Sequence, residues 1–205
     1  IMSLKLHNTL TNKLEEFSPL EAGVVKMYHC GPTVYGQQHI GNLSMFVFTD
    51  ILRRTLEYLS YDVKQVINFT DIGHLTSDAD DGADKMALGL KREGMEPTLE
   101  NAKKLGQKYA GIFLEDLAKL NIKTKDTKLP YASDFIKEQI ELIKTLELKG
   151  FTYQTSDGVY FNISKYKEYG KLGCLSQEFQ ARISENAEKK NSRDFSLWKF
   201  YKDIL

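Results

Sequence analysis

Cysteine is scarce in this chain: only Cys30 and Cys174 occur in 205 residues. Two thiols make no disulfide framework, which excludes a disulfide-stabilised scaffold and points to a reducing cytoplasm. Long apolar runs are missing as well. None approaches the roughly eighteen residues that a bilayer-spanning helix needs, so no membrane partner is expected. The opening Ile1-Met2-Ser3-Leu4-Lys5 has no signal-peptide apolar region. Neither sign of charge is in excess. With 28 basic and 28 acidic residues the net charge is zero, so global charge neither announces nor excludes a nucleic-acid partner. Internal repeats and low-complexity stretches are absent. What is present is a 41% hydrophobic chain, long enough for one large domain or a domain with an insertion.

The informative stretch runs from Met27 to Asn42, M-Y-H-C-G-P-T-V-Y-G-Q-Q-H-I-G-N. Val24 to Tyr28 is rich in β-formers and bounded by Gly31-Pro32, which predicts a strand. From Leu43 to Leu59, apolar Met45, Phe48, Leu52, Leu56 and Leu59 recur at three and four residues, the helical period. Val63 to Ile67 resumes a strand. Strand, helix and strand in about forty residues predict a βαβ crossover whose strand ends open on one edge of a parallel sheet. Ligands of such sheets bind outside the carboxyl ends of the strands, where Cys30 and the Asn68-Phe69-Thr70-Asp71 segment both fall.

Singly, these residues have plainer readings. A cysteine ending a strand can be a small buried hydrophobe. A histidine before a helix can be a cap, and a glycine such as Gly41 can merely allow close packing. Jointly, a thiol, a Gly-Pro turn and a His-Gly-Asn cluster in a strand-turn-helix context suit two tasks. One is holding a soft metal, and the other is receiving phosphates at a helix N-terminus.

Further along, Asp78, Asp80, Asp81 and Asp84 read as a solvated acidic loop; no Glu follows at the spacing an EF-hand requires. Leu99 to Leu120 predicts a helix burying Ala102, Leu105, Tyr109, Phe113 and Leu120. Lys123 to Lys128 reads as a solvated basic linker or, alternatively, an RNA-facing edge. Ser133 to Lys149 predicts a helix with Ile136, Ile140, Ile143 and Leu146 inward and Gly150 as its stop. Phe151 to Gln154 and Val159 to Ile163 alternate around Ser156-Asp157-Gly158, a hairpin. Cys174 is expected to be structural or incidental.

Cys30-Gly31-Pro32-Thr33-Val34-Tyr35 followed by His39-Ile40-Gly41-Asn42 resembles the signature of cysteinyl-tRNA synthetases, class I enzymes with a His-Ile-Gly-His or His-Ile-Gly-Asn motif. Asn8-Thr9-Leu10-Thr11 with Glu15-Glu16-Phe17, and Asn68 to Ile72, resemble other segments of that family. The Gly73 to Met86 stretch departs from its commonest form and resembles a longer variant. The resemblance implies an α/β chain: the first half of a class I synthetase Rossmann-like nucleotide-binding fold with a connective-peptide insertion. Its divisions would be 1–122 for the catalytic half, 123–190 for the insertion, and 191–205, around Arg193 to Lys199, for the return to the catalytic domain. It implies an N-terminal fragment, with other zinc ligands, the KMSKS loop and the anticodon-reading domain lying outside it. The fragment alone would then neither charge tRNA nor hold stoichiometric zinc.

The implied activity is ATP-dependent activation of cysteine and its transfer to tRNA(Cys), by a cytoplasmic monomer. His39 and Asn42 would be catalytic, and His39, Gly41 and Asn42 would bind ATP, used with Mg2+. Gly31, Thr33 and Thr70 would bind the cysteine substrate, and Cys30 would be a ligand of one Zn2+ in the full-length protein. Other readings are a ligase of the same fold passing cysteinyl-adenylate to an amino-sugar, a small nucleotidyltransferase, and a non-catalytic nucleotide-binding fragment.

Overall fold

A computed structural model describes residues 4–73, 84–172 and 188–200. Strands β1 (Lys5–Asn8) and β2 (Lys13–Glu16) pair in a two-stranded sheet. The rest divides into two compact units, one running through Asp134 and the other resuming at Phe135. Among the described residues no helix is long and apolar enough to cross a membrane.

The first unit holds the expected strand-helix-strand. β3 (Val24–His29) leads through a loop into α1 (Ile40–Tyr58), and β4 (Asp62–Ile67) returns parallel to β3, with Val24 opposite Asp62 and His29 opposite Ile67. A third extended segment follows the other edge of β4. The Ile67 N–H donates to Lys128 O at 2.9 Å, the Lys128 N–H to Gln65 O at 2.9 Å, and the Phe69 N–H to Pro130 O at 2.8 Å. The basic stretch expected to be a solvated linker therefore runs into a sheet edge, and this compact unit includes residues up to Asp134.

Helices α2 (Lys85–Arg92) and α3 (Leu99–Lys119) complete this unit. Thr98 caps α3, its hydroxyl oxygen accepting the Asn101 N–H at 3.2 Å. Ala102, Leu105, Tyr109, Phe113 and Leu117 of α3 join Val34, Phe46, Ile67, Phe69, Met86 and Leu90 in one core. Leu120, expected inside, follows the helix as its C-cap and is 38% exposed, because the buried stripe ends one turn earlier, at Leu117.

The orientation of α1 also differs from the apolar spacing. Its buried face is Leu43, Phe46, Asp50, Arg53 and Leu56, while Met45 is partly exposed and Phe48 is 68% exposed. The cause is a polar spine. Asp50 accepts Arg54 Nε at 2.6 Å and the Lys123 N–H at 2.9 Å. Arg53 donates to Glu57 Oε1, Gln65 Oε1, Thr127 Oγ1 and the Lys123 and Lys125 carbonyls. Charges so fully bonded can be buried, and they turn the helix toward themselves.

The second unit contains α4 (Ile136–Leu148) and an antiparallel sheet of β5 (Thr152–Thr155), β6 (Gly158–Phe161) and β7 (Phe195–Lys199), in that order. The hairpin forms around Ser156-Asp157, with Thr155 opposite Gly158. Phe195 to Lys199 form the third strand of this sheet. Gly158 is needed there, since a Cβ would lie 2.3 Å from Trp198 O. Ile136, Ile143 and Leu146 of α4 are half-buried, but Ile140 is 37% exposed. Asp194 is fully buried and accepts from Tyr153 Oη at 2.8 Å and from the Ile163 and Asn191 N–H groups at 3.0 Å.

Candidate active site at the carboxyl ends of β3 and β4

Beyond the two strands, the parallel pairing continues as one bridge between Thr33 and Thr70. The Val34 N–H donates to Thr70 O and the Thr70 N–H to Pro32 O, each at 3.0 Å. Gly31 and Thr33, far from Thr70 in sequence, are thereby its neighbours. Gly31 can sit there only without a side chain, because a Cβ would lie 1.7 Å from Asn68 O. Asn68 itself was only one letter of a strand motif in the sequence. In the structure its Oδ1 accepts from the Gly31 N–H at 3.2 Å and from Tyr28 Oη at 2.9 Å, and its Nδ2 donates to Thr70 Oγ1 at 3.2 Å.

Cys30 follows the last residue of β3 and is exposed, not the buried hydrophobe of its plainer reading. Among the described residues no group of three or more His, Cys, Asp or Glu side chains could hold a metal ion. A single thiol does not make a zinc site, which uses at least three protein ligands. Cys174, His74 and all but Asp84 of the acidic loop lie outside the described residues.

The chain then loops to His39, held by contacts that the sequence did not reveal. Gln38 Nε2 donates to the carbonyls of Thr33 and Gly36 at 3.3 Å. Arg92, from the end of α2, donates to the Tyr35 carbonyl and to Tyr109 Oη. His39 is the N-cap of α1, in extended conformation; its Nδ1 accepts the Gly41 N–H at 3.1 Å, and its carbonyl accepts the Asn42 and Leu43 N–H groups at 3.0 and 3.1 Å. The plainer cap reading is thus correct as far as it goes. With Nδ1 accepting, the neutral ring carries its hydrogen on Nε2, a donor with no partner among the described residues. Gly41 lets the ring fold back, since a Cβ there would lie 2.9 Å from His39 Cε1. Asn42 is exposed in the first turn, which has no acidic residue to oppose an anion.

Beneath Cys30, His29 is tied to the polar spine. Gln65 Oε1 receives Arg53 Nη1 and Thr127 Oγ1, so its Nε2 must donate to His29 Nε2, 2.9 Å away. The ring hydrogen is then on Nδ1, which is buried and has no partner among the described residues. Burial pushes the His29 pKa below its usual value.

The chain is similar in sequence to known proteins. A family profile for the catalytic domain of class I (C) tRNA synthetases matches residues 16–204. The chain is 44% identical over 200 residues to a cysteine–tRNA ligase of Treponema denticola, covering 96% of this chain and 39% of that protein. It is 45% identical over 202 residues to cysteine–tRNA ligase 1 of Burkholderia lata, covering 97% and 42%. With a cysteine–tRNA ligase of Pyrococcus horikoshii the identity is 41% over 201 residues, covering 97% and 39%. The chain thus spans about two fifths of the length of these curated relatives.

Proposed function

The chain belongs to the class I (C) tRNA synthetases, and on that premise we propose that the protein carrying it activates cysteine with ATP and transfers it to tRNA(Cys). The observation that carries this reading is the joint placement of Gly31, Thr33 and Thr70 at the strand ends, with a histidine-capped helix N-terminus directly downstream. The cysteine-type relatives support the choice of amino acid.

In the proposed first step a carboxylate oxygen of cysteine bonds to the α-phosphorus of ATP, used with Mg2+, and the bond to pyrophosphate breaks. The adenylate then passes its acyl group to a terminal hydroxyl of the tRNA, releasing AMP. Such phosphoryl chemistry depends on positioning and on donors aimed at developing charge. His39 would supply Nε2–H to a phosphate oxygen, because its Nδ1 is occupied by the helix cap. Asn42 would supply a second donor in the first turn of α1, and the helix dipole adds a favourable term. Gly31, Thr33 and Thr70 would face the amino acid, and Gly41 completes the ATP side.

We assign Cys30 as one thiolate ligand of a Zn2+ in the whole protein, with the remaining ligands outside the described residues. Zinc would supply recognition of the substrate sulfur, which serine lacks. Residues of the second unit would form the connective-peptide insertion. We place the protein in the cytoplasm, as a monomer, in keeping with its two cysteines.

The test uses the full-length protein. Cysteine-dependent exchange of pyrophosphate into ATP is expected, with serine inactive, and Cys30→Ser should lower bound zinc measured by metal analysis. Absence of cysteine-dependent exchange would defeat the reading.

A further inference from the structure

We propose that Asn68 is a positioning residue that sets the hydrogen-bond polarity of Thr70, so that the Thr70 hydroxyl donates to an oxygen of the amino-acid substrate. The inference rests on the cysteine-activation reading above and concerns a residue to which that reading gives no role.

The argument starts from the Gly31 N–H, which can only donate. It faces one end of the Asn68 side chain at 3.2 Å, so that end must be the oxygen. Tyr28 Oη reaches the same oxygen at 2.9 Å, and a tyrosine hydroxyl there donates. With Oδ1 so fixed, the other end is the amide nitrogen, and it donates to Thr70 Oγ1 at 3.2 Å. A threonine hydroxyl has one hydrogen and two lone pairs. One lone pair is taken by Asn68, and among the described residues nothing accepts the hydrogen. Thr70 is half-buried at the strand end, and its backbone is locked by bonds to Pro32 and Val34. The hydrogen is therefore kept for a ligand acceptor, and the acceptor an amino acid brings is its carboxylate. The Gly31 backbone amide, just beyond β3 and fixed by the fold, thus dictates through Asn68 what Thr70 recognises. The same carboxamide joins Gly31 to Thr70, so it also sets their separation.

The decisive variant in the full-length protein is Asn68→Asp, which is nearly isosteric. The Gly31 N–H and Tyr28 Oη still find an oxygen, but the group facing Thr70 becomes an acceptor and draws the hydroxyl hydrogen inward. The KM for cysteine is expected to rise about tenfold or more, while the KM for ATP stays within about twofold. In a Thr70→Val background the same Asn68→Asp change should add almost nothing, because the donor it redirects is gone. An unaltered cysteine KM in Asn68→Asp, or effects that simply add in the double variant, would overturn the proposal. If Asn68→Asp does not fold, Asn68→Ala carries the test: it must raise the cysteine KM selectively, and an equal rise in both KM values would sink the idea. Failure of the underlying reading looks different, since the unmodified protein itself would then show no cysteine-dependent exchange.

Discussion

Arg53 on α1 donates through Nη1 to Gln65 Oε1 on β4 at 2.9 Å, with Arg53 only 2% and Gln65 4% exposed. This bond is the centre of the polar spine that rolls α1 onto the sheet. Burial pushes the neighbouring Glu57 carboxyl up, but hydrogen bonds from Lys123 and Arg53 outweigh it and hold it below the usual range.

Removing one member of such a network leaves the others buried and unpaired. Arg53→Met is expected to destabilise the first unit by about 3–5 kcal/mol in denaturant unfolding. Arg53→Lys should recover little of this, because an ammonium cannot reproduce a planar fork that reaches side chains and two carbonyls. Full recovery with lysine would mean that only the charge matters.

His39 combines two tasks that substitution can separate. His39→Asn keeps a side-chain oxygen for the helix cap and should leave stability nearly unchanged, while His39→Ala should lose about 1 kcal/mol of it. Both lack Nε2–H, so both should slow cysteine activation, by roughly 2–4 kcal/mol of transition-state stabilisation. Asn42→Ala should act on the rate in the same sense. If pyrophosphate exchange in these variants changed only through the cysteine KM, the phosphate-side role would be wrong.

Gly31→Ala places a methyl group where Asn68 O already sits, 1.7 Å from the ideal Cβ position. The strand ends must part, at about 1–3 kcal/mol or more. Loss of Gly31 and Thr70 as neighbours should then abolish cysteine binding even in protein that remains folded. Calorimetry with cysteine on the folded variant checks this, and parental affinity would refute it.

In the second unit, Asp157 bridges the hairpin turn to β7. Burial raises its pKa, but hydrogen bonds from Lys199, Thr155 and Tyr160 outweigh this and bring it down to about 2 from 3.8. A carboxyl with a lowered folded-state pKa stabilises above its unfolded value, so this contribution is complete above pH 3.8 and is lost as pH falls from there toward about 2. The melting temperature of the parent should therefore drop more steeply than that of Asp157→Asn through this acid window. Parallel curves would remove Asp157 from the account.

The sequence by itself determined the local elements and the order of the signature. Runs of β-formers gave β3 and β4, the Ser156-Asp157-Gly158 turn gave the β5–β6 hairpin, and His39 before an apolar helical period gave the start of α1. Cys30, His39, Gly41 and Asn42 stood out by motif and spacing, which are properties of the chain alone, whereas Gly31, Thr33 and Thr70 were singled out by the resemblance to the cysteinyl-tRNA synthetases.

Tertiary structure decided the rest, for reasons periodicity does not contain. Apolar counting turned α1 toward Met45 and Phe48, because it treats Asp50 and Arg53 as outward-facing; their partners on β4 and residues 123–127 are remote in sequence. Lys128 to Tyr131 and β7 carry no strong alternation, and they are extended because another strand offers them an edge. Asn68, Gln38, Arg92 and His29 look ordinary in sequence. They acquire roles only where long-range pairing brings a particular amide, carbonyl or ring nitrogen within hydrogen-bonding distance, which no local pattern encodes.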